Sequence, residues 1–296
     1  MTPDPAPRPS EAASRGSAMT ALHGAVVLFG LAGLFGKWID LPAATIVLGR
    51  TGIATLALLA LLIVRGRDFG RFEWRLAVNG ALLAAHWVAF FQAIQSATVA
   101  VALLGFAGFP LFVALFEALF LDRKLSTREW LLTATVCAGL LLIVPRLDLA
   151  DHTVQGLLWG VFSGATFALL AVWNRALAGR RGASEIALWQ NAIATLCLVP
   201  SVILAPSLPS ARDIALLIVL GVACTALAHT LFIWSLRTVS AHTASVIACL
   251  EPVYGIVLAA ALLHEIPDAR MLAGGALIVG ASLWESMTAA PPLPQA

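Results

Sequence analysis

The sequence predicts an all-α polytopic membrane protein of ten transmembrane helices, built as two inverted five-helix repeats. Three observations predict it: the composition, a chain-long succession of apolar segments, and residue echoes about 140 positions apart. Hydrophobic residues make up 60% of the 296 residues and charged residues 11%, against roughly 25% charged in a globular chain. A helix that crosses the hydrocarbon core needs about 20 apolar residues. The chain offers ten such stretches, joined by loops too short for a soluble domain, so consecutive helices are antiparallel neighbours.

The first segment, Thr20–Trp38, follows a tail (1–19) rich in Pro, Ala and Ser. That tail lacks the basic start and apolar run of a cleaved signal peptide and is expected to be disordered and cytoplasmic. Pro42–Val64 follows, with Arg50 inside it, and then Trp74–Gln95, which carries Ala85-His86. Val99–Leu121 contains Pro110, and Thr127–Val144 closes the first repeat, 20–146. The second repeat, 147–287, opens with Gln155–Leu177 and its Gly156, Gly160 and Gly164 stripe. Ser184–Leu204, Asp213–Leu236, Ala241–Leu263 and Ala269–Met287 complete it, leaving a loose Pro-rich tail at 288–296.

The echoes pair these segments. Ile53-Ala54-Thr55-Leu56 recurs as Ile193-Ala194-Thr195-Leu196, at an offset of 140. Ala85-His86 recurs as Ala228-His229 at 143, and Pro110 as Pro252 at 142. Five helices per repeat is an odd number, so the second repeat enters the membrane from the opposite face, the inverted duplication common in secondary transporters. Orientation follows from Lys and Arg. With the N-terminus inside, Arg8, Arg15, Arg65, Arg67, Arg71, Arg75, Arg123, Lys124, Arg128, Arg175, Arg180, Arg181 and Arg237 are cytoplasmic. Lys37, Arg146, Arg212 and Arg270 are external, so both termini are expected in the cytoplasm.

Several motifs point to a known family. Phe109-Pro110-Leu111-Phe112 lies in the fourth segment, Leu250-Glu251-Pro252-Val253-Tyr254 in the ninth, and Gly274-Gly275-Ala276-Leu277 in the tenth. From Leu22 to Met287 the chain resembles the drug/metabolite transporter superfamily, in its branch of EamA-type ten-helix exporters. It departs from that pattern at Asp122-Arg123, where Gly-Glu is usual. Within the branch it is most similar to exporters of aromatic and other neutral amino acids. The resemblance implies alternating-access export across the bacterial inner membrane. Export of drugs or other metabolites, or a passive channel, are the alternatives.

Candidate site residues follow from polarity at membrane depth. Arg50 lies about eight residues into its helix, roughly 12 Å below the outer end. A charge there costs roughly 2.5–3.5 kcal/mol unless it finds a partner or water. It is either an anion site for a substrate carboxylate or a structural charge bonded to carbonyls or an acid, in a helix expected at the periphery with its mate. Gln190 is its counterpart. Glu251, expected mid-helix beside Pro252, suits a substrate ammonium, proton coupling or a protonated structural role. His86 and His229 are repeat mates that face one shared space, as cavity lining, proton-coupling groups or packing. Trp87, Phe90, Trp159 and Trp234, with Ser163, complete the substrate-binding set. Pro110 and Pro252 are the candidate gating hinges. The glycine stripe serves tight packing, or sliding during gating. Trp38, Trp74, Trp130 and Trp284, near helix ends, read as interface anchors.

The exclusions are equally concrete. Cys137, Cys197, Cys224 and Cys249 form no CxxC pair and read as buried hydrophobes. No phosphate loop, HExxH or GxSxG stands in the sequence, so an ATP-driven pump, an enzyme, a cofactor and a metal site are not expected. The expected partners are a small-molecule substrate and the lipid bilayer, with protons as a candidate coupling ion and no nucleic acid.

Overall fold

The computed structural model describes residues 15–70, 72–120, 127–143, 148–178, 182–235 and 247–288. These are helical throughout, with no strand among the described residues. The elements are α1 Arg15–Trp38, α2 Ala43–Val64, α3 Trp74–Ser96, α4 Val99–Phe106, α5 Phe109–Phe120, α6 Thr127–Ile143, α7 His152–Ala178, α8 Ala183–Leu204 and α9 Ala211–Gly221. A π-helical segment, Val222–Leu227, then leads into α10 Ala228–Ser235, followed by α11 Glu251–Leu263 and α12 Ala269–Thr288. Among the described residues, six helices are long and apolar enough to cross a membrane: Gly16–Trp38, Ala43–Val64, Trp74–Ser96, His152–Leu170, Ser184–Leu204 and Ala211–Phe232. The chain is a multi-pass membrane protein.

Helix starts have local causes. The Thr98 hydroxyl accepts the Val101 N–H at 3.2 Å, and Glu265 Oε2 accepts the Val99 N–H at 2.9 Å, so two orphan donors of α4 are satisfied. Ser210 and Asp213 form a capping box at α9. The fourth apolar segment breaks at Ala107–Gly108, just before Pro110, which cannot donate the hydrogen bond that would bridge the break.

The ninth segment differs from expectation. Its interior is interrupted by a turn at Cys249–Leu250, and α11 begins at Glu251. Pro252 therefore stands in a first turn, where a missing N–H costs nothing, and is not an interior kink. Glu251 consequently lies at the positive end of a helix dipole rather than in the middle of a helix. Residues 121–126 and 236–246, with His242, lie outside the described residues.

Lipid offers apolar helices no hydrophobic reason to associate, so close packing holds the bundle. The glycine stripe of α7 serves that end. A Cβ at Gly160 would stand 2.8 Å from the Ala102 carbonyl, and one at Gly164 would stand 2.9 Å from the Phe106 carbonyl. Gly139 of α6 and Gly274 of α12 face each other as closely, each Cβ position lying under 3.0 Å from the other's carbonyl oxygen. Gly30 of α1 meets Gly255 of α11 in a similar way, its Cβ position lying 2.9 Å from the Gly255 nitrogen. Around this packed interior lies a coat of exposed apolar side chains, among them Leu56, Leu131, Leu196, Ile218 and Val257. Trp74, Trp130 and Trp284 are exposed at helix ends. Cys137 and Cys197 belong to the coat too, so of the four thiols Cys224 and Cys249 are buried.

α2 is not peripheral. It packs on α8 and α9, and Arg50 on it is 2% exposed. A Cβ at Gly221 would meet Ile53 and the Arg50 carbonyl, and one at Gly80 would meet Ile193 and the Gln190 carbonyl. Thr195 of α8 donates to the Thr51 hydroxyl of α2 at 2.8 Å.

The loops at one end are tied to each other. Asp213 Oδ1 accepts the Asp40 N–H at 3.2 Å, Gln95 donates to the Leu41 carbonyl at 2.8 Å, and Thr45 and Ser207 share a hydroxyl bond of 3.0 Å. Lys37 Nζ donates to the Ala97 carbonyl. At the opposite end Trp189 donates to the Phe69 carbonyl at 2.8 Å.

Candidate functional site

Arg50 is the centre of the candidate site. Its guanidinium carbon lies 3.9 Å from the centroid of the Trp87 ring and 5.4 Å from that of Phe91. Its Nε donates to the Thr225 hydroxyl at 3.1 Å. Among the described residues, no acid forms an ion pair with its terminal nitrogens. Burying the cation costs roughly 2.5–3.5 kcal/mol. A desolvated cation–π contact returns about 2 kcal/mol, so stacking and one hydroxyl offset much of the cost. The planar fork keeps donors that can meet a carboxylate.

The turn that supplies Thr225 is unusual. In the π segment, backbone hydrogen bonds span five residues, and such bulges gather at functional sites. The Thr225 hydroxyl donates to the Leu220 carbonyl, five residues back, at 2.8 Å. It thereby accepts from Arg50 and donates to its own helix at once. Gly221 lets α9 approach α2 closely enough for this, since a Cβ there would lie 3.0 Å from the Arg50 carbonyl.

The two histidines take different settings. His229 Nδ1 lies 3.1 Å from the Thr225 carbonyl. A carbonyl can only accept, so Nδ1 carries the proton and Nε2 keeps its lone pair. The ring lies 5.4 Å from Trp87, edge to face, and 5.2 Å from Phe29. His86 is 6% exposed, and its Nδ1 lies 3.1 Å from the Ser163 carbonyl and 2.8 Å from the Ser163 hydroxyl. That hydroxyl reaches the His86 carbonyl at 3.1 Å. The pair locks α3 to α7. Phe167, Phe106 and Phe90 surround the ring, at 5.0, 5.5 and 6.2 Å between centroids.

The sequence candidates thus divide. His86, Trp87, Phe90, Ser163 and His229 come together with Arg50 through ring contacts and hydrogen bonds, whereas Glu251 opens α11 with its carbonyl against Gly30 of α1. Trp234 does not join them; it packs with Leu22, Val26 and Ile247 near the start of α1. Trp159 is 41% exposed beside Phe162, on the face of α7 opposite its glycines. Pro110 lies in the first turn of α5, two residues beyond Gly108. Thr225, Phe29 and Phe167 were not singled out from the sequence. The first of these was findable, because Thr225 stands four residues before His229 and shares its helical face.

A model of the EamA-like transporter family matches residues 16–144 and, a second time, residues 154–286. The pseudopaline exporter CntI of Pseudomonas aeruginosa is 33% identical over 260 residues, which span 84% of this chain and 87% of the exporter. The same exporter from a second strain is 33% identical over 258 residues, with equal coverage. A solved crystal structure, 22% identical, superposes with a TM-score of 0.65 over 93% of this chain and 97% of that one. This last likeness bears on the fold alone.

Proposed function

The chain belongs to the EamA-like transporter family, and we propose that it exports a small carboxylate-bearing metabolite by alternating access. It is a membrane transporter rather than an enzyme, as its family implies. The observation that carries the substrate reading is Arg50: a buried guanidinium, stacked on Trp87, with its terminal nitrogens paired to no described acid. The finer proposal is an aromatic or other neutral amino acid. Arg50 takes the carboxylate, Trp87 and Phe90 flank the side chain, His229 and Glu251 supply acceptors toward the ammonium, and His86 braces the wall through Ser163. The name of the pseudopaline exporter favours a second reading, in which the cargo is pseudopaline or a related metabolite.

The architecture we propose is two inverted five-helix repeats, 20–146 and 147–287, with both termini in the cytoplasm of a bacterial inner membrane. The double family match and the paired contacts of Arg50 with Gly221 and Gln190 with Gly80 support it. In this reading α4–α5 and α11 rock about Pro110 and Pro252, and the loop ties near Asp40 and Asp213 close the outer side.

Counterflow of radiolabelled Phe, Trp, Met and Thr in proteoliposomes tests the cargo. Saturable exchange with any of them supports the amino-acid reading. Exchange with pseudopaline alone leaves the second reading standing, and currents without saturation replace both with a channel. Repeating the flux across a pH gradient with Glu251→Gln tests proton coupling, which fails if the variant keeps its pH dependence.

A further inference from the structure

We propose that Thr225 is a positioning residue of the solute site: one side chain in the π turn aims the guanidinium of Arg50, and its carbonyl sets the tautomer of His229. The inference rests on the reading of Arg50 as the carboxylate anchor. Three bonds meet at this residue. The hydroxyl accepts from Arg50 Nε at 3.1 Å and donates to the Leu220 carbonyl at 2.8 Å, while the Thr225 carbonyl faces His229 Nδ1 at 3.1 Å.

The geometry makes these roles interdependent. A hydroxyl has one proton. With that proton committed to Leu220, its lone pairs are turned outward and can receive the Nε–H of Arg50. An arginine held at Nε cannot spin about its last bonds, so its two terminal nitrogens keep one direction beside the Trp87 ring. Fixing that fork before the solute arrives removes an ordering cost from binding. The carbonyl completes the arrangement by holding the His229 proton at Nδ1, which leaves Nε2 as an acceptor on a ring packed between Trp87 and Phe29. The wide turn is what brings hydroxyl, carbonyl and imidazole together.

Thr225→Val keeps the shape and removes the hydroxyl, and Thr225→Ser restores it. Counterflow KM for L-phenylalanine is compared with that for L-phenylalaninamide, which lacks the carboxylate. The expected result is a KM for phenylalanine about fivefold higher in Thr225→Val, because the lost bond aims the guanidinium and does not itself touch the solute. Maximal rate and the amide KM should hold, and Thr225→Ser should return the KM to within about twofold of the natural value. Equal loss for acid and amide, or no loss for either, overturns the proposal. A second measurement does not depend on the cargo. Hydrogen exchange of the Val222–Leu227 peptide in the purified full-length protein is compared for Arg50→Gln, Thr225→Val and the double variant. If Thr225 holds Arg50, the double variant exchanges no faster than the faster single one. Additive acceleration overturns the proposal even where phenylalanine is not carried. Absence of flux in the natural protein, with the non-additive pattern kept, removes the amino-acid reading and leaves the Arg50–Thr225 link standing.

Discussion

His86 and His229 occupy matching places in the two halves of the chain, yet the molecule uses them differently. His86 reaches across to another helix, where Ser163 meets it with both a hydroxyl and a carbonyl, and three phenylalanines close over the ring. His229 bonds back to its own helix, at Thr225, and presents its ring to Trp87 beside Arg50. One histidine is a clamp between α3 and α7. The other is a lining group of the proposed site. The same side chain stands in both halves, and its neighbours set what each copy does. Ser163 decides for the first and the π turn for the second.

The largest expected effect tests the cation that makes the two sides unequal. Arg50→Gln keeps a polar group and some stacking on Trp87 but removes the charge, as Gln190 does naturally at the counterpart position. Charge-assisted hydrogen bonds are worth about 1.5–3 kcal/mol, so the KM for a carboxylate solute should rise about 10- to 100-fold. Counterflow measures it. An unchanged KM would mean that Arg50 is a structural charge, and the asymmetry would lose its chemical meaning.

Exchanging the histidines for phenylalanine sharpens the contrast. His86→Phe removes the imidazole bond between α3 and α7, while the Ser163 hydroxyl keeps the carbonyl of residue 86 and the Ser163 carbonyl keeps the Thr166 hydroxyl. Interhelical hydrogen bonds in membranes average about 0.6 kcal/mol and reach about 1.7, so thermal unfolding in detergent should shift downward while the KM holds. His229→Phe should do the reverse. It loses one acceptor, which raises the KM about fivefold, and it disturbs packing little because Phe29 and Trp87 accept an aromatic ring. If both variants move the same readout, the division between clamp and lining is wrong.

Gly274→Ala tests a region remote from either histidine. Its new Cβ would meet the Gly139 carbonyl and Ile143 of α6 at 2.6 and 2.7 Å, so α6 and α12 must separate, at a cost of about 1–3 kcal/mol. Gly24→Ala is the control, since nothing lies within 4 Å of its Cβ position. It should be neutral or slightly stabilising through helix propensity. Comparable melting temperatures for the two would deny that close helix approach holds the bundle.

The sequence carried the apolar helices because run length is a one-dimensional signal, and the proposed repeat rests on another such signal, self-similarity. It did not carry the breaks. Nothing in Val222-Ala223-Cys224-Thr225-Ala226-Leu227 marks a π turn, and its Thr225 meets an arginine from a helix 175 positions away. The start of α11 was partly legible, because a proline next to a glutamate is as much a helix opening as a kink. The unbroken apolar run over 241–263 hid it. Arg50 was conspicuous in the sequence, but its inward direction was not, since an apolar helix shows no polar face to orient it.

The smallest expected effect concerns Trp159, and helical geometry alone anticipates it. Gly156, Gly160 and Gly164 repeat every four residues and make one narrow stripe. That stripe is pressed against Ala93, Ala97, Ala102 and Phe106. Residues on the far side of the same helix, Gln155, Leu158, Trp159 and Phe162, must then face outward, and Leu158, Trp159 and Phe162 are 53%, 41% and 49% exposed. A tryptophan there meets lipid and never the guanidinium. Trp159→Ala should therefore leave the KM for a carboxylate solute within about twofold, below the worth of a single hydrogen bond. Trp87→Ala, which takes away the ring beside the Arg50 guanidinium, should cost about 2 kcal/mol. Were the two tryptophans to matter equally in counterflow, the solute would have to pass along the outer face of α7, and a site centred on Arg50 would be untenable.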